Sequence, residues 1–202
     1  SLIAIGAKYT KGENKINSGY VKIFKDTNGV WNQIGNNIEG ESEGDSFGGF
    51  TTSISLSDDG QIVAISGPKN DGNGIDSGHV RVFKNINSTW TQIGSDIDGE
   101  AAGDKSGSSV SLSSDGSVIA IGAGSNGGNG ILSGHVRVFK NINNTWTQVG
   151  YDIDGEAAGD KLGGSGSTSL SGDGSILAIG GRYNGGNGSE SGHVRVFKLK
   201  EI

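Results

Sequence analysis

The chain has 202 residues, 39 of them Gly, with 32% hydrophobic residues and a formal charge of −6. So many residues without a side chain leave little to bury, so any core must be thin and repeated; the absence of Cys excludes disulfides and thiolate metal sites and leaves the redox compartment unread. No run of about 18 apolar residues is present to span a membrane, and an acidic chain whose Lys and Arg are scattered singly repels phosphate backbones, so nucleic acid is not an expected partner.

The chain also lacks Met, position 1 included, and opens on no secretory leader, which reads as a processed or trimmed piece. It begins with SLIAIGA (Ser1 to Ala7), an apolar run of strand character. SGYVKIFK (Ser18 to Lys25) then alternates polar and apolar, and a short strand around Trp31 follows. After an acidic loop, SLSDDGQIVAISG (Ser55 to Gly67) reads as a hairpin whose Asp-Gly supplies the turn. Next come a loop of Asn and Gly, the alternating SGHVRVFK (Ser77 to Lys84), an Asn-rich turn and a strand at Trp90.

The same series returns twice. SLSSDGSVIAIGA starts at Ser111 and SLSGDGSILAIGG at Ser169, while the Gly of the third strand recurs at 19, 78, 134 and 192, spacings of 59, 56 and 58. No window carries apolar residues at helical spacing, so the expected fold is all-β: four-stranded antiparallel meanders of about 58 residues, two complete and two partial. The repeats are bounded at 1–35, 36–94, 95–150 and 151–202. Such a lean unit must stack on its copies. Radial blades suit these short strands better than a solenoid, and the Ser-rich first strand suits a crowded axis.

Phe47-Gly48, the Gly-Asp pairs at 44–45, 103–104 and 159–160, the SLSxDG turn and the Gly-x-Val-x-Val-Phe strand together resemble the FG-GAP repeats of integrin alpha-chain propellers and their secreted microbial relatives. The resemblance covers the whole chain. It implies a β-propeller used for extracellular or cell-surface binding or adhesion. It also implies calcium in a long acidic loop between the first and second strands, but here that place is taken by the short SxDG turn, so the family's calcium site does not carry over.

The acidic loop after the fourth strand is a separate candidate. Asp96, Asp98, Glu100 and Asp104 are repeated as Asp152, Asp154, Glu156 and Asp160, and as Asn37, Glu39, Glu41 and Asp45. Alternate oxygens in a tight loop could hold calcium, the one cofactor considered. Alternatively Asp104 and its equivalents cap a turn while the other carboxylates are solvated. By strand parity these loops share a rim with the Asn/Gly loops, whose Asn70, Asp71, Asn73, Asn126, Asn129, Asn184 and Asn187 are candidate ligand contacts.

His79, His135 and His193 fall one per repeat, so their rings cannot converge on one ion; packing between blades or bonding near Arg81, Arg137 and Arg195 is the expected role. Trp31, Trp90 and Trp146 are expected to anchor fourth strands against the neighbouring blade, with sugar stacking as the alternative. No Ser, His and acid fall in a nucleophile pattern, so no enzyme is expected. The expectation is therefore a non-catalytic binding or adhesion module that meets a protein or glycan partner through the acidic rim. The alternatives are a self-assembling structural protein and a lectin. In the self-assembling alternative, the incomplete end blades pair between chains into a homo-oligomer.

Overall fold

In the computed structural model, described for residues 1–9, 16–49 and 53–199, every regular element is a strand. The first sheet holds β1 (Leu2–Ala7), β2 (Tyr20–Thr27), β3 (Val30–Gln33) and β4 (Ile38–Glu39). The second holds β5 (Ile54–Leu56), β6 (Ile62–Gly67), β7 (His79–Ile86), β8 (Thr89–Gln92) and β9 (Ile97–Asp98). The third repeats it with β10 (Ser109–Leu112), β11 (Val118–Ala123), β12 (His135–Ile142), β13 (Thr145–Gln148) and β14 (Ile153–Asp154). The fourth consists of β15 (Thr168–Leu170), β16 (Ile176–Gly181) and β17 (His193–Lys198). Among the described residues no helix is long and apolar enough to cross a membrane.

All pairings of named strands are antiparallel, and apart from β4, β9 and β14 they follow chain order, as a meander requires. The hairpin turns are those the sequence demands. Asn143 and Asn144 both take positive φ, 51° and 63°, between β12 and β13, the two-residue turn whose twist matches the strands.

The fourth strand departs from expectation. β8 pairs with β7 from Thr89 opposite Ile86 only as far as Gln92 opposite Phe83, and pairing resumes at Ile97 opposite Val80. Four residues, Ile93 to Asp96, thus face two on the partner strand, and the excess bulges out. Each complete sheet therefore has five strands, not four, and the bulge aims Asp96 back at β7.

Both faces of each inner sheet are apolar, so the core is three thin layers between consecutive sheets. Val21, Ile23 and Phe47 meet Val63, Ile65 and Phe83; Val80 and Val82 meet Ile119 and Ile121; Val136 and Val138 meet Leu177 and Ile179. The first strands lie together on the inner side and are bonded through their serines. Leu112 N donates to Ser55 Oγ and Leu170 N to Ser111 Oγ, both at 3.0 Å. Small hydroxyl residues are required there because backbones of neighbouring sheets come within one side chain of each other. On the outside, Trp90 Nε1 donates to Ile34 O of the preceding sheet and Trp146 Nε1 to Ile93 O, each at 3.0 Å. These are the expected anchors.

The four sheets form an open arc, and no strand pairing among the described residues closes it. Ile3 and Ile5 are 42% and 50% exposed and Val194 and Val196 are 68% and 67% exposed, whereas their counterparts Val63, Ile65, Val80 and Val82 are buried. One face of each end sheet thus has no neighbour among the described residues.

Candidate functional site: a basic cavity where four sheets meet

Each second strand ends at the same height, and the residues just beyond it reach a common space. Lys8 follows β1, Pro68 and Lys69 follow β6, Gly124 and Ser125 follow β11, and Arg182 follows β16. The loops entering β10 and β15 add Lys105, Ser108, Lys161, Gly164 and Ser165. Together they line a cavity of about 390 Å³. Among the described residues it is lined by five cationic side chains and no carboxylate, in a chain whose net charge is −6. The expectation of singly scattered Lys and Arg is corrected here: residues far apart in sequence become neighbours because each follows an equivalent strand end.

The cations are held in place. Lys105 and Lys161 adopt φ of +54° and +51°, a left-handed backbone that side-chain-bearing residues avoid. It is fixed by bonds from Lys105 N to Asp76 O and from Lys161 N to Leu132 O. Lys105 Nζ lies 3.7 Å from Asp76 Oδ2, and Lys161 and Arg182 sit over the Tyr183 ring at 4.9 and 4.6 Å. Crowded positive charge of this kind is costly unless an anion neutralises it.

On the same rim, the residues singled out by sequence are placed differently from one another. Asp45, Asp104 and Asp160 cap their own loops, accepting from Ser42 N, Ala101 N and Ala157 N, and they also accept the side-chain amides of Asn70, Asn126 and Asn184 from the next sheet. Asn73 and Asn129 donate to Gly99 O and Gly155 O, just beyond β9 and β14 of their own sheets. Asp71 accepts from Asp76 N, Asn37 from the Gln33 side chain, and Asn187 is exposed. Asp98 and Asp154 lie on β9 and β14, their carbonyls accepting from Arg137 and Arg195, as Glu39 O does from Arg81. Burial and the charge of Asp96 push the Asp98 carboxyl up.

The remaining acids meet the histidines. Asp96 Oδ2 lies 3.3 Å from His79 Nδ1, and Glu41 Oε1 lies 3.3 Å from Arg81 Nη2. Glu100 Oε2 and Asp152 Oδ2 lie 3.7 and 3.8 Å from His135 Nδ1, and Glu156 Oε2 lies 3.6 Å from His193 Nδ1. The imidazole of His79 holds the Asp96 carboxyl down at about 2, against the opposing effect of burial. Burial first and Arg137 second push the His135 imidazole down. The three histidines do stay apart, as expected; what sequence reading missed is that each finds its own carboxylates. A regular offset could have shown it, since 96 − 79 and 152 − 135 are both 17.

No family model matches the chain, and no curated protein matches it. Solved structures do. A protein assigned as a 6-phosphogluconolactonase from Bacteroides uniformis superposes with TM-score 0.56 at 15% identity, over 90% of this chain and 45% of that one. The periplasmic gluconolactonase of Pseudomonas aeruginosa gives 0.55 at 15%, over 98% and 50%. A prolyl endopeptidase gives 0.52 at 13%, over 91% and 25%. The fold is of the β-propeller type. This chain spans half or less of the length of those structures, and at such identity the likeness concerns fold alone.

The expected non-catalytic adhesion module is corrected by this comparison, because the solved structures that share the fold are, by name, lactonases and an endopeptidase. The structure supplies a physical reason as well: of the residues offered to a partner, Asn70, Asn126 and Asn184 spend their side-chain amides on an aspartate beside the neighbouring sheet, and Asn73 and Asn129 spend theirs on backbone carbonyls of their own sheets.

Proposed function

We propose that this chain is part of a β-propeller that binds a small anionic ligand in the basic cavity. The class proposed is a carboxylated or phosphorylated sugar. The observation that carries the reading is the gathering of Lys8, Lys69, Lys105, Lys161 and Arg182 around one cavity with no lining carboxylate among the described residues. Its volume falls in the range of small-molecule sites, roughly 300–1,000 Å³, and Ser108, Ser125 and Ser165 offer hydroxyls for sugar oxygens. The names of the gluconolactonase-type structures lend support, since the products of such enzymes are sugar acids. The proposal is one of binding and assigns no catalytic residue.

Two further points belong to it. The FG-GAP character of the repeat is supported by the order of its short markers, and a location outside the cytoplasm by the periplasmic neighbour. Calorimetric titration with 6-phosphogluconate, gluconate and glucose tests the binding. Affinity is expected to fall in that order, glucose not binding, and to weaken at least tenfold in Lys105→Ala/Lys161→Ala and in high salt. Equal binding of glucose, or indifference to both lysines, would contradict it.

A further inference from the structure

The histidine junctions lie away from the basic cavity's lining and are built alike. In the first, Glu41 comes from the loop of the preceding sheet, His79 from β7 and Asp96 from the bulge beyond β8; in the second, Glu100, His135 and Asp152 hold the same places. Within each group, one ligand atom from each residue lies within 4.8 Å of the others. His79 is 1% exposed, yet neither of its ring nitrogens has a hydrogen-bond partner among the described residues, although Nδ1 faces Asp96 Oδ2 at 3.3 Å. A buried imidazole left without a partner is costly, and an ion bound at Nδ1 removes the share of that cost that falls on Nδ1.

The carboxylates are divided in their contacts. Asp96 turns Oδ1 to the Gln92 amide at 2.6 Å, and Asp152 turns Oδ1 to Gln148 at 2.7 Å, so Oδ2 of each is left for the histidine. Glu100 gives Oε1 to Arg137 and Oε2 to His135. Outer contacts of this kind orient metal ligands. With a neutral imidazole, two carboxylates against one guanidinium leave each junction one negative charge.

We propose that these two junctions each bind one divalent transition-metal ion of the zinc class, through the His Nδ1 and one oxygen from each acid, with a fourth position open to water. Zinc bonded at about 2.0–2.1 Å sets neighbouring ligand atoms about 3.3 Å apart in a tetrahedron. The contacts of 3.3, 3.7 and 3.8 Å lie close to that, and the remaining ligand atoms, within 4.8 Å of one another, need to close by up to about 1.5 Å. Calcium wants six to eight oxygens and finds too few here. Glu156 and His193 form the start of a third junction but have no Asp partner among the described residues, so that junction is the internal control.

The untagged chain, stripped with chelator and desalted, is titrated with zinc chloride in a calorimeter. Two ions per chain are expected, undisturbed by millimolar calcium. Asp96→Asn and Asp152→Asn should each lower the stoichiometry to one, with at least a tenfold loss at the altered site; the pair should abolish binding, and Glu156→Gln should change nothing. Both Asp side chains are partly exposed, so folding is expected to persist and is checked by circular dichroism. Cobalt gives a second readout, a visible absorption band that His79→Gln and His135→Gln should each halve. No binding, or an unchanged stoichiometry in the double Asp variant, would overturn the proposal.

Discussion

Ser106 stands where the neighbouring repeats place Phe47 and Leu162, both fully buried. It is itself 1% exposed, and its Oγ has no hydrogen-bond partner. A buried hydroxyl without a partner costs about 1–3 kcal/mol. Ser106→Ala is therefore expected to stabilise the fold by about 1 kcal/mol in urea denaturation, and a loss of stability would contradict this account of the position. The tryptophans separate in the same way. Trp90 is 5% exposed and bonded across a junction, whereas Trp31 is 49% exposed. Trp90→Ala should cost about 3–5 kcal/mol, and Trp31→Ala under about 1 kcal/mol.

At the same scale, Asp59, Asp115 and Asp173 organise the SxDG turns. Asp173 is held down at about 2 by the Ser171 hydroxyl and then by Ser175. Asp59 is lowered by the Gln61 amide and the Ser57 hydroxyl; for Asp115, burial alone would raise the carboxyl, but Ser113 and Ser117 outweigh it. Each carboxyl titrates lower in the folded chain than in the unfolded one, near 3.9. Their contribution is therefore complete above about pH 4 and is lost as pH falls towards 2. Melting temperature should drop over that interval, and less steeply in the Asp59→Asn/Asp115→Asn/Asp173→Asn variant.

At the scale of elements, the turns show what sequence determines. Asn28-Gly29, Asn87-Ser88 and Asn143-Asn144 all make the same two-residue turn with positive φ at both positions. Ser88, at φ 64°, is the poorest fit, since a serine Cβ crowds the left-handed region. Ser88→Gly should raise stability by about 0.5–1 kcal/mol, measured by thermal melting. The strands and these turns were legible because alternation and Asp-Gly or Asn-Asn pairs are local signals. The split fourth strand was not, since Ile97-Asp98 and Ile153-Asp154 are two residues each and their place is set by pairing to a partner, not by their own pattern. The histidine junctions were hidden for a related reason: Glu41 and His79 come from different sheets, and nothing local ties them.

At the scale of the whole molecule, identical residues meet different fates according to their neighbours. Val136 and Val138 are 0% and 3% exposed, while Val194 and Val196, in the same strand of the next repeat, are about two-thirds exposed. Val138→Asp should unfold the chain or cost more than about 4 kcal/mol, and Val196→Asp should be nearly neutral; similar losses at both would contradict the open arc. The basic cavity is likewise a property of the arc alone. Lys8, Lys69, Lys105, Lys161 and Arg182 share no segment, and their meeting could be read only once the strand ends were set side by side. The most direct measurement is a crystal structure of the chain soaked with 6-phosphogluconate. The account expects phosphate density inside the cavity, within hydrogen-bonding distance of Lys105, Lys161 or Arg182; an empty cavity at saturating ligand, or density only elsewhere, would contradict it.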